Sequence, residues 1–219
     1  MADLIGDLSA ERVAVNLARV RGQIAAVGRD PEQVEILAAI KYLPASQLSA
    51  LADGGVTLVG ENRAQDLLAK RAVVPGSFTW DFIGRLQSRK VKQLLPHVRY
   101  IHSVASQSAL EQLGRHGGPQ TEVLIEVNVA GDAGKEGISA RELPEFLERC
   151  PATVVGLMTM PPRAARPQDS RPHFAALSRL ADAHGLRHRS MGTSQDYLIA
   201  VREGATIVRL GTALYAGTQ

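Results

Sequence analysis

Cysteine is nearly absent: Cys150 stands alone in 219 residues, so neither a disulfide framework nor a thiolate zinc cluster can form. No apolar run approaches the length that spans a bilayer, and the opening MADLIGDLSAERV is not a signal peptide. A cytosolic protein with no membrane role is expected. No G-x-G-x-x-G follows the first apolar strand, which argues against a dinucleotide-binding open sheet. The P-loop pattern fails too, because Gly134-Lys135 lacks the upstream glycine and a following Ser or Thr. Charge of one sign is not concentrated anywhere: 25 Lys and Arg stand against 22 Asp and Glu. The densest basic group, Arg85, Arg89, Lys90 and Lys92, has no interleaved aromatics. It reads as a solvated helix face, and a nucleic-acid partner is not expected.

What is present is alternation. Apolar residues make up 45% of the chain, enough for a sizeable core. An opening helix over about residues 9–27 is capped by Ser9 and carries the stripe Val13, Leu17, Val20, Ile24 and Val27. Eight short apolar strands follow, at Val34–Ile40, Val56–Gly60, Thr79–Gly84, Val98–His102, Thr121–Val129, Thr153–Thr159, Leu186–Met191 and Ala205–Leu210. Helical stretches separate them, one with a Ser139/Glu142 capping box. Strand–helix alternation implies a parallel sheet with right-handed crossovers, and eight units are the count of a closed (β/α)8 TIM barrel. No composition shift marks a domain boundary, so a single barrel domain is expected. The Pro- and Arg-rich stretch 160–171 is expected to be the most mobile connection.

The strand ends carry the chemistry. In a parallel barrel all of them meet at one face. Lys41 ends the first strand, where desolvation would favour the free amine that forms Schiff bases; the alternative is a lysine that snorkels to solvent. After strands seven and eight, SMGTS (Ser190, Met191, Gly192, Thr193, Ser194) and RLGT (Arg209 to Thr212) place glycines and hydroxyls before helix starts, where backbone N–H groups bind phosphate. Ordinary capping is the competing reading for Ser194 and Thr212. A lysine facing a phosphate cradle suggests pyridoxal 5′-phosphate. His102 reads as a hydrogen-bonded strand-end residue, Lys135 as plain surface, and Trp80 and Phe82 as packing. No metal site is expected.

The motifs AAIKYLP, GENRAQ, WDFIGRLQSRK, IHSV, EVNVAGDAGKEGI, GLMTM, SMGTSQD and VRLGTALYAG, spread from about Val34 to Gly217, resemble the pyridoxal-phosphate homeostasis protein family. These are single-domain relatives of the alanine racemase N-terminal barrel. The resemblance implies that Lys41 is the Schiff-base lysine, that Ser194, Gly211 and Thr212 hold the phosphate, that Arg209 faces the pyridine nitrogen and that Asn62 lines the ring. Ser190, Met191 and Gly192 are counted with the cofactor-binding set. The chain departs from the family at Asp81, Thr193 and Leu198, and in having Tyr42-Leu43 after the lysine; none of these is expected to touch the lysine, arginine or glycine core.

Three functions compete: a pyridoxal-phosphate homeostasis factor without turnover, a racemase or other pyridoxal-phosphate enzyme, and an interaction module with a vestigial site. Arg209 at the ring nitrogen would leave the electron sink weak. Racemisation also needs a second acid–base group opposite Lys41, which alanine racemase takes from a second domain. Tyr42 and Tyr197 are the nearest tyrosines to the expected mouth. With the barrel closing just before Gln219, a monomer or at most a weak dimer is expected.

Overall fold

The computed structural model describes residues 8–162 and 165–216. Helix α1 (Ala10–Ala26) precedes strand β1 (Glu35–Ala39). Then come α2 (Leu48–Asp53), β2 (Leu58–Glu61), α3 (Ala64–Val73), β3 (Thr79–Phe82), α4 (Val91–Leu94) and β4 (Tyr100–Val104). They are followed by α5 (Gln107–His116), β5 (Glu122–Glu126), α6 (Leu143–Arg149) and β6 (Thr153–Met158). The chain finishes with α7 (Arg171–Ala183), β7 (His188–Thr193), α8 (Tyr197–Arg202), β8 (Ile207–Leu210) and α9 (Thr212–Tyr215). The strands pair in parallel and in sequence order, and β1 closes against β8 with Leu37 opposite Arg209. The expected barrel is the observed one. Gly217 and residues 163 and 164 of the Pro/Arg-rich stretch lie outside the described residues.

Alternation along each strand builds two apolar layers. Leu37, Leu58, Leu124 and Ile207 fill the bore together with Tyr100 and Met158. The opposite faces pack outward on the helices, as at β3, where Trp80 and Phe82 enter the outer core and Asp81 between them turns inward. Helix α1 forms as its pattern requires: Ser9 Oγ accepts from Arg12 N at 3.2 Å, and Val13, Leu17, Val20 and Ile24 are buried. Its polar side is committed as well. The buried Asn16 amide donates to the carbonyls of Leu214 (3.1 Å) and Ala216 (3.0 Å). Arg19 donates to Ala213 O at 2.9 Å, and the Tyr197 hydroxyl donates to Gln23 Oε1. The Asn16 and Arg19 bonds satisfy carbonyls of α9 and its exit that the short helix cannot pair itself.

Two strands run later than their apolar patterns suggest. Strand β4 spans Tyr100–Val104 rather than Val98–His102, because Pro96 tightens Leu95–His97 into a 3-10 turn and Arg99 N then pairs with Trp80 O at 2.7 Å. Strand β7 spans His188–Thr193 rather than Leu186–Met191. Gly185, at φ 63°, ends α7, and Leu186 N returns to Ala181 O at 2.9 Å, so Leu186 belongs to the helix exit. The helix expected from Ser194 starts at Tyr197, because Asp196 Oδ1 accepts from Thr193 N at 2.8 Å and turns the chain first. The Ser139/Glu142 box is half made: Glu142 Oε2 accepts from both Ser139 N and Ser139 Oγ, and α6 begins only at Leu143. The two-residue shifts of β4 and β7 leave inward-facing positions inward, but set them deeper along the bore.

Candidate functional site

At the C-terminal mouth of the barrel lies a cavity of about 490 Å³ whose wall includes Lys41, Asn62, Ser194, Arg209, Gly211 and Thr212. Lys41 stands two residues past the end of β1, in a turn closed by Leu43 N donating to Ile40 O at 3.0 Å. It is exposed, with Nζ 4.5 Å from the Tyr42 ring centroid. Of the two readings of its strand-end placement, desolvated or reaching to solvent, the second is observed, since the strand stops at Ala39 and the turn carries the side chain outward. Gly84 keeps the neighbouring wall thin: a Cβ there would lie 2.0 Å from Asn62 O. The Asn62 side-chain Oδ1 is buried and has no hydrogen-bond partner among the described residues. That is an acceptor a bound molecule would satisfy.

Arg209 forms the floor. Its Nη1 donates to Ser190 O (2.7 Å) and Ser190 Oγ (2.6 Å), and its Nη2 to Thr159 O (2.9 Å) and Met160 Sδ (2.9 Å). Burial pulls its pKa down to about 10, against the opposing pull of Glu126 and Asp196, and it stays cationic at neutral pH. On the far side of the floor the polar chain continues. Ser190 Oγ lies 2.9 Å from His102 Nδ1, and His102 Nε2 lies 3.1 Å from Asp81 Oδ2. Burial pushes the His102 pKa down although Asp81 opposes it. A neutral ring must then donate from Nε2 to Asp81 and accept from the Ser190 hydroxyl at Nδ1. Burial pushes Asp81 upward, but its bonds to His102 and Arg99 outweigh this and leave it below the usual carboxylate range. Arg99 supplies the positive charge, donating to Asp81 at 3.1 and 2.7 Å and to Glu35 at 3.1 and 2.7 Å.

Asp81, His102 and Ser190 thus line up as acid, imidazole and hydroxyl, but all three are fully buried. A nucleophile needs access to substrate, and Ser190 Oγ is already occupied by Arg209. The trio orients an arginine.

Near β7 and β8, Ser194 Oγ accepts from Gly211 N and from Ala213 N, both at 3.1 Å. Two backbone N–H groups therefore converge on one oxygen at the cavity wall, the arrangement an anion would use. Three residues counted with the site do not reach the cavity. Ser190 lies beneath Arg209 in the bore because β7 runs two residues later than expected. Met191 points outward into the helix layer. Gly192, at φ 92°, lies under α8, where a Cβ would meet Ala200 Cβ at 2.6 Å. Tyr197 turns away to α1, whereas Tyr42 and Tyr215 line the wall.

The sequence reading passed over Glu126. It ends β5 at 8% exposure, lines the cavity, and its carboxylate makes no hydrogen bond among the described residues. Burial raises its pKa to about 7, with Glu136 adding to the effect and Arg209 opposing it. The signal was present: Val123, Leu124 and Ile125 are an apolar run that Glu126 interrupts. Asn128, near the end of the expected strand Thr121–Val129, lies past the observed β5 and donates to Asp132 O at 2.7 Å, securing the following loop. Lys135, read as plain surface, is exposed but borders the cavity, as does an exposed Arg85–Glu136 pair at 3.2 Å. Asp81 and Thr193 also matter more than expected: Asp81 connects to Arg209 through two residues, and Thr193 lines the cavity. Among the described residues no three His, Cys, Asp or Glu side chains gather as a metal-ligand set, and no helix is long and apolar enough to cross a membrane.

Comparison with known proteins places this geometry in context. The family model described as alanine racemase, N-terminal domain, matches residues 11–219. A protein of Aquifex aeolicus named pyridoxal phosphate homeostasis protein is 37% identical, over 94% of this chain and 96% of its own. The solved structure of PipY from Synechococcus elongatus with pyridoxal phosphate bound superposes with a TM-score of 0.78 at 30% identity, covering 93% of this chain and all of that one. Alanine racemase from Corynebacterium glutamicum shares the fold at a TM-score of 0.72, with 14% identity and 63% of its length covered.

Proposed function

Because the chain belongs to the alanine racemase N-terminal domain family, we propose that it binds pyridoxal 5′-phosphate as a Schiff base to Lys41 and serves the intracellular homeostasis of that cofactor, with little or no turnover. One observation carries the reading. An amine (Lys41), a buried guanidinium (Arg209) and the Ser194 hydroxyl, on which the N–H groups of Gly211 and Ala213 converge, share one cavity of about 490 Å³. The relatives' names, and the pyridoxal phosphate bound to PipY, support the same ligand.

The residues fit the group. The N–H groups on Ser194 Oγ would receive the phosphate, with Ser194 and Thr212 adding hydroxyls. Arg209, held rigidly by four acceptors, would meet the ring nitrogen and leave it unprotonated. The orphaned Asn62 Oδ1 would accept a hydrogen bond at the ring edge. When bound, the cofactor supplies an aldehyde that reacts with amines. Lys41 provides the amine, and its exposed position leaves the linkage open to exchange with an incoming amine. That suits loading and release better than retention for catalysis. The racemase alternative needs a second proton-transfer group facing Lys41. Tyr42 does not supply it, because its ring lies against the Lys41 ammonium itself. The proposal also has the protein act as a monomer in the cytoplasm.

Borohydride treatment of protein mixed with pyridoxal phosphate, followed by peptide mass mapping, tests the reading. A pyridoxyl adduct is expected on Lys41. An adduct confined to Lys70, Lys90, Lys92 or Lys135 would overturn it. For turnover the deciding assay is α-proton exchange of alanine and serine in heavy water. Exchange at an enzyme-typical rate of about 1 s⁻¹, abolished in Lys41→Ala, would favour the racemase.

A further inference from the structure

A buried ion pair lies directly behind two of the cavity residues. Lys70, on α3 and 8% exposed, donates from Nζ to Glu61 Oε2 at 2.5 Å and to Ile40 O at 2.7 Å. Glu61, fully buried at the end of β2, uses its other oxygen to accept from Asn62 N at 2.6 Å. Ile40 immediately precedes Lys41. The pair therefore grips the backbone next to Lys41 and at Asn62 through three atoms, Lys70 Nζ and the two Glu61 carboxylate oxygens.

The ladder between β1 and β2 ends where this grip begins. Its last registered pair is Ala39 with Gly60, followed by Ile40 N donating to Gly60 O at 3.0 Å. Beyond that bond the two chains diverge, one into the Lys41 turn and one into the Asn62 loop. Without a further connection each would be free to move relative to the other. The side chains of Glu61 and Lys70 supply that connection. Tyr215 reinforces it from the third side: its hydroxyl donates to Ala39 O at 3.2 Å. Burial and the nearby Glu61 charge both keep its phenol protonated.

An ion pair in a dry interior is a poor stabiliser, since desolvation of two charges cancels most of their attraction and apolar side chains of similar volume do as well or better. Its value lies in direction. A carboxylate and an ammonium fix the carbonyl and amide they touch in a way that two leucines would not. We propose that Lys70 and Glu61 are positioning residues that hold the Lys41 turn and Asn62 in mutual register for reaction with the aldehyde of pyridoxal phosphate. This rests on the ligand reading above.

The test is the double variant Lys70→Met/Glu61→Leu, which removes both charges together and so avoids stranding one of them. It is expected to fold with a Tm near the parent's. Imine formation at Lys41 with pyridoxal phosphate, followed by absorbance and trapped by borohydride, should slow by about tenfold or more, as misplacement of a reacting group does. Affinity for 4-deoxypyridoxine 5′-phosphate, which has no aldehyde, should fall by clearly less than the rate does, since only the Asn62 contact is loosened while those of Ser194, Arg209, Gly211 and Thr212 are left in place. Lys70→Arg, which keeps charge and donors, should recover most of the rate. A folded double variant reacting at the parental rate would overturn the inference, and so would an equal loss of affinity for the aldehyde-free analogue. If the parent itself forms no imine, the ligand reading fails, and hydrogen exchange decides this one separately. Faster exchange in the double variant at the amides of Leu43 and Asn62, with strands β5 and β6 unchanged, upholds the positioning role. Unchanged exchange at Leu43 and Asn62 refutes it.

Discussion

The two ends of the barrel treat charge in opposite ways. From the half-exposed Glu35 and Arg99 inward to the buried Asp81, His102 and Ser190, the opposite end of the bore holds a closed lattice in which each group is paired at 2.7–3.1 Å. At the mouth, Glu126 makes no hydrogen bond among the described residues, Asn62 Oδ1 is orphaned and Lys41 is exposed. Arg209 joins the two regions, bonded downward to Ser190 and open to the cavity above. A buried polar group without a partner is costly. Such groups survive where function needs them, while paired ones serve the fold. On that comparison, changes in the lattice should unfold the protein, and changes at the mouth should cost binding and spare or raise stability.

The largest expected effect is at the mouth. Lys41→Ala should abolish the borohydride-trapped pyridoxyl adduct while leaving the thermal midpoint unchanged, since the side chain is exposed. In the lattice, Arg99→Met takes the one cationic partner from the fully buried Asp81, leaving it His102 and Tyr100 N, and should cost about 3 kcal/mol in denaturant unfolding. A loss under about 1 kcal/mol would erase the contrast between the two ends. Gly211→Glu introduces a negative charge where two N–H groups converge and should weaken pyridoxal phosphate binding by about tenfold or more in equilibrium dialysis. If the folded variant keeps the parental affinity, the phosphate lies elsewhere.

Glu126 gives a smaller and sharper test. Its folded pKa, about 7, lies above the unfolded value of about 4.3. The folded state therefore holds the proton more tightly, and this carboxyl costs stability progressively as pH rises from about 4 to 7. Glu126→Gln removes that cost. The variant should gain about 1–3 kcal/mol at pH 8 and nothing at pH 4. A gain equal at both pH values would show that the carboxyl does not titrate as its burial demands.

Much of the fold was legible because it rests on periodicity. Eight apolar runs separated by helical stretches specify a barrel however their ends are drawn. Lys41, Arg209 and Gly211 were legible because any closed parallel barrel brings strand ends to one face. What failed was depth along the strand. The reading placed Ser190 and His102 at strand ends, but Pro96 and the exit of α7 each delay a strand by two residues, and both side chains drop into the bore. The Asp81–His102–Ser190 chain needs three strands in register at once, which no local pattern reveals. Lys70 was invisible for a similar reason. On α3 it looks like an ordinary surface lysine, and only the third dimension brings its ammonium beneath Ile40. Glu126 was overlooked because the expected strand Thr121–Val129 ran on past it.

The grip of α1 on the far end of the chain has a consequence for assembly. Asn16 waits for carbonyls 198 and 200 residues downstream, and β1 finds its second neighbour only in β8. During synthesis the first strand therefore presents an unpaired edge until β8 has emerged. Contacts of such sequence separation form slowly, and an open edge meanwhile is a template for wrong pairing. The N–H groups of Gly211 and Ala213 come from the same late segment. A nascent chain thus acquires its anion cradle in the same event that closes the barrel, and a chain stalled short of β8 would carry Lys41 but have nothing to hold a phosphate against it.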